Sequence, residues 1–194
     1  MDKTAVIAEI EKLELLDKQG ESYTNSEGRY GWRNPIRQDT GKILTSLLMA
    51  KNPKRVLEIG TAHGLSTLYL MLGLDASKAI IDTIEFDQEV AESTQQRMDR
   101  LQVPVKVLMG DAEAVIDHLE GSYDVVFFDA QKNKYYDQLI ALLNRGCVKD
   151  GTLVLADNVS DRREECHQFL TWFTENDKSH TIIETECGLL VGVI

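Results

Sequence analysis

Asp129, Lys132, Asp157 and Asn158 are the residues whose types and spacing point most directly to chemistry. Asp129 closes the apolar run Val125-Val126-Phe127-Phe128, and Asp157-Asn158 closes Leu153-Val154-Leu155-Ala156. A donor set of oxygens, without thiolate or imidazole, suits a hard cation: magnesium first, manganese or calcium as alternatives, and not zinc. Lys132 stands three residues beyond Asp129 and so can face the same point. Taken alone, such a lysine reads as a solvated surface residue. Glu85 and Asp111 hold the same relation to earlier apolar runs. A single acid at a strand end is commonly a helix cap. Acids at four successive strand ends crowd like charges and call for a compensating cation.

These acids follow the stretch 55–67, RVLEIGTAHGLST. Val56, Leu57 and Ile59 form a short apolar run that stops at Gly60. The small residues Ala62, Gly64 and Ser66 come next, then a helical pattern through Leu65, Leu68, Tyr69 and Leu72. The pattern predicts a buried strand, a tight turn and a helix start. Small side chains let a ligand approach the backbone there, and the first helical N–H groups point at it. Glu85 lies 25 positions after Gly60, the placement of an acid that holds ribose hydroxyls. A dinucleotide oxidoreductase therefore competes as a reading. Its glycine fingerprint is not met, because the turn runs Gly60-Thr61-Ala62-His63-Gly64-Leu65. His63, His118, His167 and His180 show no ligand spacing and read as structural or exposed.

The elements that must position these residues alternate along the chain. Strands are predicted at 55–60, 79–86, 105–109, 123–129, 152–156, 181–185 and 189–194. Helices fall between them at Leu65–Leu72, around Val90–Leu101, at 112–119, 135–146 and around Cys166–Phe173. Apolar strands alternating with helices mean a mostly parallel sheet covered on both faces, with ligands at the strands' carboxyl ends. Only Glu186-Cys187-Gly188 separates the last two strands, a hairpin-sized gap, so one of them runs antiparallel. Two helices precede the sheet. The first carries Val6, Ile10, Leu13 and Leu16 and ends near Gly20; the second follows Pro35 with Ile36, Ile43, Leu44, Leu47 and Leu48 on one face. Residues 21–33 read as a mobile loop, in which Trp32 is either a lid over an acceptor or an anchor for the loop.

Composition narrows the class. At 194 residues the chain suits one domain, residues 1–52 forming N-terminal helices with an acceptor or lid segment and 53–194 the core. A net charge of −11 gives no global attraction to nucleic acid or to an anionic membrane. The sequence shows neither a signal-type apolar block nor a run long enough to span a bilayer, so no membrane association is expected. Cys147, Cys166 and Cys187 are odd in number and unpaired in spacing, which fits reduced thiols and a cytoplasmic location.

VLEIGTAHGLST, TIEFD, GDA, FFDAQKNKYY and LADN together resemble the small metal-dependent O-methyltransferases of the catechol and caffeoyl-CoA type, in their short bacterial form. The resemblance runs from about Asn34 to the C-terminus and implies the Rossmann-like S-adenosylmethionine (SAM) methyltransferase fold. It implies that the turn, with Glu58, Gly60, Ala62, Gly64 and Ser66, holds the methionine part of SAM. Glu85 would hold the ribose and Asp111-Ala112 border the adenine, with Asp129 also on the cofactor side. Asp129, Asp157 and Asn158 would hold the divalent metal, and Lys132 would act as base. One acid of the usual DADK is Gln131 here, and it is not a metal ligand. The resemblance implies methyl transfer from SAM to a hydroxyl of a catechol-like small molecule or, alternatively, of a hydroxylated uridine in tRNA. A non-catalytic SAM-binding module is the remaining alternative. It also implies a homodimer, with the N-terminal helices near the interface or the pocket mouth.

Overall fold

The computed structural model describes residues 1–19 and 35–194. The loop predicted at 21–33, with Trp32, lies outside them. Helix α1 (Lys3–Lys18) begins where the Asp2 carboxylate accepts the Thr4 N–H at 2.9 Å, satisfying one of the donors left open at a helix start. Helix α2 spans Gln38–Lys51. Its N-cap is Arg37, so Ile36 precedes the helix and is buried ahead of it rather than lying on its face.

The alternating part follows as β1 (Arg55–Ile59), α3 (Leu65–Leu72), β2 (Ile80–Glu85), α4 (Gln88–Arg100), β3 (Val105–Met109) and α5 (Ala112–Ile116). Then come β4 (Val125–Phe128), α6 (Tyr135–Asn144), β5 (Leu153–Ala156), α7 (His167–Glu175), β6 (His180–Ile183) and β7 (Leu189–Val193). Several strands are a residue or two shorter than their apolar runs, because the terminal residues already belong to the turns. A 3-10 turn at Lys132–Lys134 leads into α6.

The seven strands form one sheet in the order β3-β2-β1-β4-β5-β7-β6, and β7 runs antiparallel to both its neighbours. This is the Rossmann-like α/β arrangement expected from the alternation. The order reverses at β1, whose neighbours are β2 and β4. In an open parallel sheet, that reversal opens a crevice at the strands' carboxyl ends.

Alternation along the strands divides the core. Val56, Val125, Phe127 and Leu155 pack with Leu13, Leu44, Leu48, Leu68 and Met98 from the helices α1 to α4. Leu57, Val126, Phe128 and Val154 pack on the other face with Ile116, Leu139, Phe169 and Phe173 from α5 to α7. Glu58 therefore occupies a core position on the first face, opposite Thr83 in the register. Among the described residues, no helix is long and apolar enough to cross a membrane.

Candidate active site

The crevice is a cleft of about 510 Å³. Its floor is the turn after β1, where Gly60 has φ +102°, Ala62 +43° and Gly64 +79°, all in the region L-residues avoid. Gly60 is fixed by contact as well as by angle: a Cβ there would lie 2.6 Å from the Asp129 carbonyl oxygen. The tips of β1 and β4 thus touch, joined by the Asp129 N–H donating to the Ile59 carbonyl at 2.8 Å.

Neighbouring side chains hold this turn in place. The Ala62 N–H donates to Glu85 Oε2 at 2.8 Å, and the Thr94 hydroxyl donates to the Ala62 carbonyl at 2.9 Å. Glu85 also accepts the Asp87 N–H at 3.0 Å through its other oxygen. Each carboxylate oxygen keeps a lone pair, and Glu85 lines the cleft. Burial, the largest influence, raises its pKa above the ordinary carboxylate value. His63 also lines the cleft; burial and then the Arg97 charge lower its pKa to about 4, so its ring stays neutral near pH 7.

Glu58 lies beneath the turn, fully buried. Its Oε2 accepts the Thr67 hydroxyl at 2.5 Å and the Thr83 hydroxyl at 2.6 Å, while Oε1 has no partner. Burial pushes its pKa up to about 7. Glu58 does not line the cleft, in contrast to Gly60, Ala62 and Ser66.

At the other end of the cleft, Lys132 Nζ donates to Asp129 Oδ1 at 3.2 Å, with only 16% and 12% of the two side chains exposed. Lys132 is therefore not the solvated lysine that its isolated position allowed. Asp157 and Asn158 are both 3% exposed, and the Oδ1 atom of each is buried without a partner. The Asp157 backbone is pinned by its N–H donating to the Phe128 carbonyl at 3.1 Å and by the Tyr135 hydroxyl donating to its carbonyl at 3.3 Å. Asn158 adopts φ +64°, a left-handed conformation that asparagine tolerates better than most residues. Burial, followed by the Asp129 charge, pushes Asp157 up to about 7. Asp129 is pushed up to about 6 by burial, against the opposing pull of Lys132.

Asp157, raised by burial and by the Asp129 charge, together with the unpartnered oxygens forms an electrostatically deficient site. A hard divalent cation fits that donor set. Among the described residues, no three His, Cys, Asp or Glu side chains form a metal-binding cluster, and Asp129, Asp157 and Asn158 supply two carboxylates and an amide.

Asp111 stands apart from the other acids. Its carboxylate caps α5, accepting the Glu113 and Ala114 N–H groups at 3.1 and 3.3 Å, and it is exposed rather than lining the cleft. Gly110 and Ala112 on either side do line it. Sequence reasoning missed the braces supplied by Thr67, Thr83, Thr94 and Arg97. Their signal was present only as polar residues among apolar ones, on a strand or a helix face. It also missed Arg162, Glu165 and the exposed Phe86, which line the cleft from the loops.

The O-methyltransferase family model matches residues 14–171. The bovine catechol O-methyltransferase (Bos taurus) is 33% identical over 135 residues, covering 66% of this chain and 49% of that protein. The catechol O-methyltransferase of Mycobacterium tuberculosis is 34% identical over 133 residues, covering 66% and 58%. The chain thus spans about half the length of the curated relatives it matches. A solved structure, the O-methyltransferase TomG from Streptomyces achromogenes in complex with SAM, superimposes with a TM-score of 0.70 at 26% identity, covering 82% of this chain and 81% of that one. With the family matched over most of its length and the same fold recurring in a solved member, this chain belongs to the O-methyltransferase family.

Proposed function

We propose that the chain transfers a methyl group from SAM to a hydroxyl oxygen of a catechol-like vicinal diol, assisted by a divalent cation. The observation that carries this reading is the pair of unpartnered buried oxygens, Asp157 Oδ1 and Asn158 Oδ1, at the end of β5, the strand paired with β4, whose end carries the Asp129–Lys132 pair. Buried polar atoms are rarely left without partners, and a set of carboxylate and amide oxygens suits a hard cation such as magnesium. Asp129, Asp157 and Asn158 would hold it, with manganese or calcium as alternatives. A cation bound there supplies Lewis-acid stabilisation to an oxygen that is losing its proton.

The chain's own residues do the rest. Glu85 accepts the ribose hydroxyls on the lone pairs that its backbone N–H partners leave open. Gly60 and Ala62 present backbone without bulk to the methionine part, and Ser66 lies beside them in the cleft. SAM supplies a methyl made electrophilic by its sulfonium charge, so the protein's main task is alignment. Lys132, in its neutral form, takes the acceptor's hydroxyl proton on Nζ, and Asp129 accepts a hydrogen bond from the ammonium that results. The Phe86 side chain, 66% exposed beside Glu85, gives the cleft an apolar wall.

The names of the bovine and mycobacterial relatives support a catechol acceptor. The net charge of −11 disfavours tRNA. The test is methyl transfer from isotope-labelled SAM, with magnesium present, to a panel of catechols and to RNA carrying hydroxylated uridine. Label on one hydroxyl of a catechol is the expected result. Label on the RNA alone would replace the small-molecule acceptor, and SAM binding without transfer to anything would reduce the chain to a binding module.

A further inference from the structure

The turn 60–66 reaches beyond the sheet through one buried cation. Arg97 lies on α4 at 9% exposure. Its Nη1 donates to the His63 carbonyl at 2.8 Å, and its Nε donates to Glu9 Oε1 on α1 at 2.9 Å. The same Glu9 oxygen also accepts Arg100 Nη2 at 3.1 Å, with Lys12 at 3.9 Å. Glu9 is 11% exposed. Neither Arg97 nor Glu9 lines the cleft.

We propose that Arg97 is a positioning residue for cofactor binding, holding the turn through the His63 carbonyl, and that Glu9 holds Arg97 in that position, so that α1 sets the affinity of a site it does not touch. The proposal rests on the reading of this turn as the SAM site.

Three physical points carry it. First, Ala62 in the turn holds a positive φ, a conformation that a non-glycine residue keeps only where its surroundings over-determine it. Glu85 and Thr94 fix Ala62, whereas Arg97 fixes the next carbonyl, immediately before Gly64 and the first turn of α3. Second, the planar guanidinium presents donors in a fixed fork, so one side chain can serve a carbonyl and a carboxylate at once; a lysine ammonium at the end of a flexible stem cannot reproduce that geometry. Third, a buried arginine stripped of its carboxylate becomes an uncompensated charge and tends to turn toward water. Loss of Glu9 would then release the His63 carbonyl without any substitution among the residues that line the cleft. By reciprocity, a cofactor that favours the ordered turn also favours α1 docked on Arg97.

The test uses the full chain. SAM affinity is measured calorimetrically for the wild type, Arg97→Lys, Glu9→Gln and the double variant, with thermal midpoints recorded for each. Charge-assisted bonds of this kind lead us to expect about a tenfold loss of SAM affinity in Arg97→Lys. Glu9→Gln should lose affinity in the same direction, and the double variant should be no weaker than Arg97→Lys, because Glu9 acts only through Arg97. Hydrogen exchange supplies the readout that a merely structural role would not move. SAM should slow exchange of α1 amides in the wild type but not in Glu9→Gln. Folded variants with wild-type affinity, strictly additive losses, or α1 exchange that ignores SAM in the wild type would each overturn the coupling while leaving the cofactor reading intact. A wild type that binds no SAM would overturn both.

Discussion

Glu58→Gln is the perturbation whose magnitude follows most directly from the structure. Glu58 is a carboxyl at a core position, with two threonine hydroxyls on one oxygen and Ser66 also beside it. Its pKa moves from the ordinary 4.5 to about 7, chiefly through burial. At about 1.36 kcal/mol per pH unit, ionising it in the folded state costs about 3 kcal/mol more than in the unfolded chain. The sign follows from proton binding. Between pH 4.5 and 7 the folded protein holds a proton that the unfolded chain releases, so Glu58 makes stability fall as pH rises, and its effect levels off above 7. In Glu58→Gln the amide oxygen still accepts from Thr67 and Thr83, and any cost of the buried amide is the same at every pH. Urea unfolding of both proteins from pH 5 to pH 8, with EDTA throughout, isolates the difference. The wild type should lose about 2–3 kcal/mol relative to the variant across that range. A wild-type-minus-variant difference that stays flat would refute the assignment of Glu58 as a neutral, proton-retaining core carboxyl.

Three further outcomes follow. Glu85→Ala should weaken SAM binding at least about tenfold, since each charge-assisted bond is worth about 1.5–3 kcal/mol; it also removes the Ala62 brace, so circular dichroism must show an intact fold, and unchanged affinity would reject Glu85 as the ribose ligand. Lys132→Ala should lower turnover about 10²–10⁴-fold while SAM affinity stays near wild type; full turnover across neutral pH would remove Lys132 from the chemistry. Gly60→Ala should lower the thermal midpoint and abolish SAM binding together, because its Cβ would meet the Asp129 backbone at 2.6 Å; a soluble variant that binds normally would show that the β1–β4 tip contact is dispensable.

The sheet was legible because each buried strand is a continuous apolar run ended by a polar residue, and the antiparallel β7 was legible because three residues cannot carry a crossover. Strand ends were less so: Ala79, Tyr123 and Thr152 continue the pattern yet already lie in the connections. The start of α2 was set too early because Ile36 is buried without being helical, and burial is what periodicity reports. The Asp129, Lys132, Asp157 and Asn158 constellation could be named from spacing at strand ends. Its state could not: the unpartnered oxygens and raised pKa values depend on burial from both sides of the sheet. Asp111 shows the opposite case, a strand-end acid that serves as an ordinary helix cap. Arg97 was invisible for a different reason. On α4 it is one more polar residue, and only the folded chain brings the His63 carbonyl of the turn and Glu9 of α1 to its guanidinium.

Metal-assisted transfer is the central claim, and turnover of a catechol in excess EDTA, with SAM affinity measured on the same samples, tests it most directly. Chelation should abolish transfer and spare SAM binding, magnesium or manganese should restore transfer, and Asp157→Ala should match the chelated wild type. Undiminished turnover in EDTA would contradict the account and leave Asp129, Asp157 and Asn158 as turn residues.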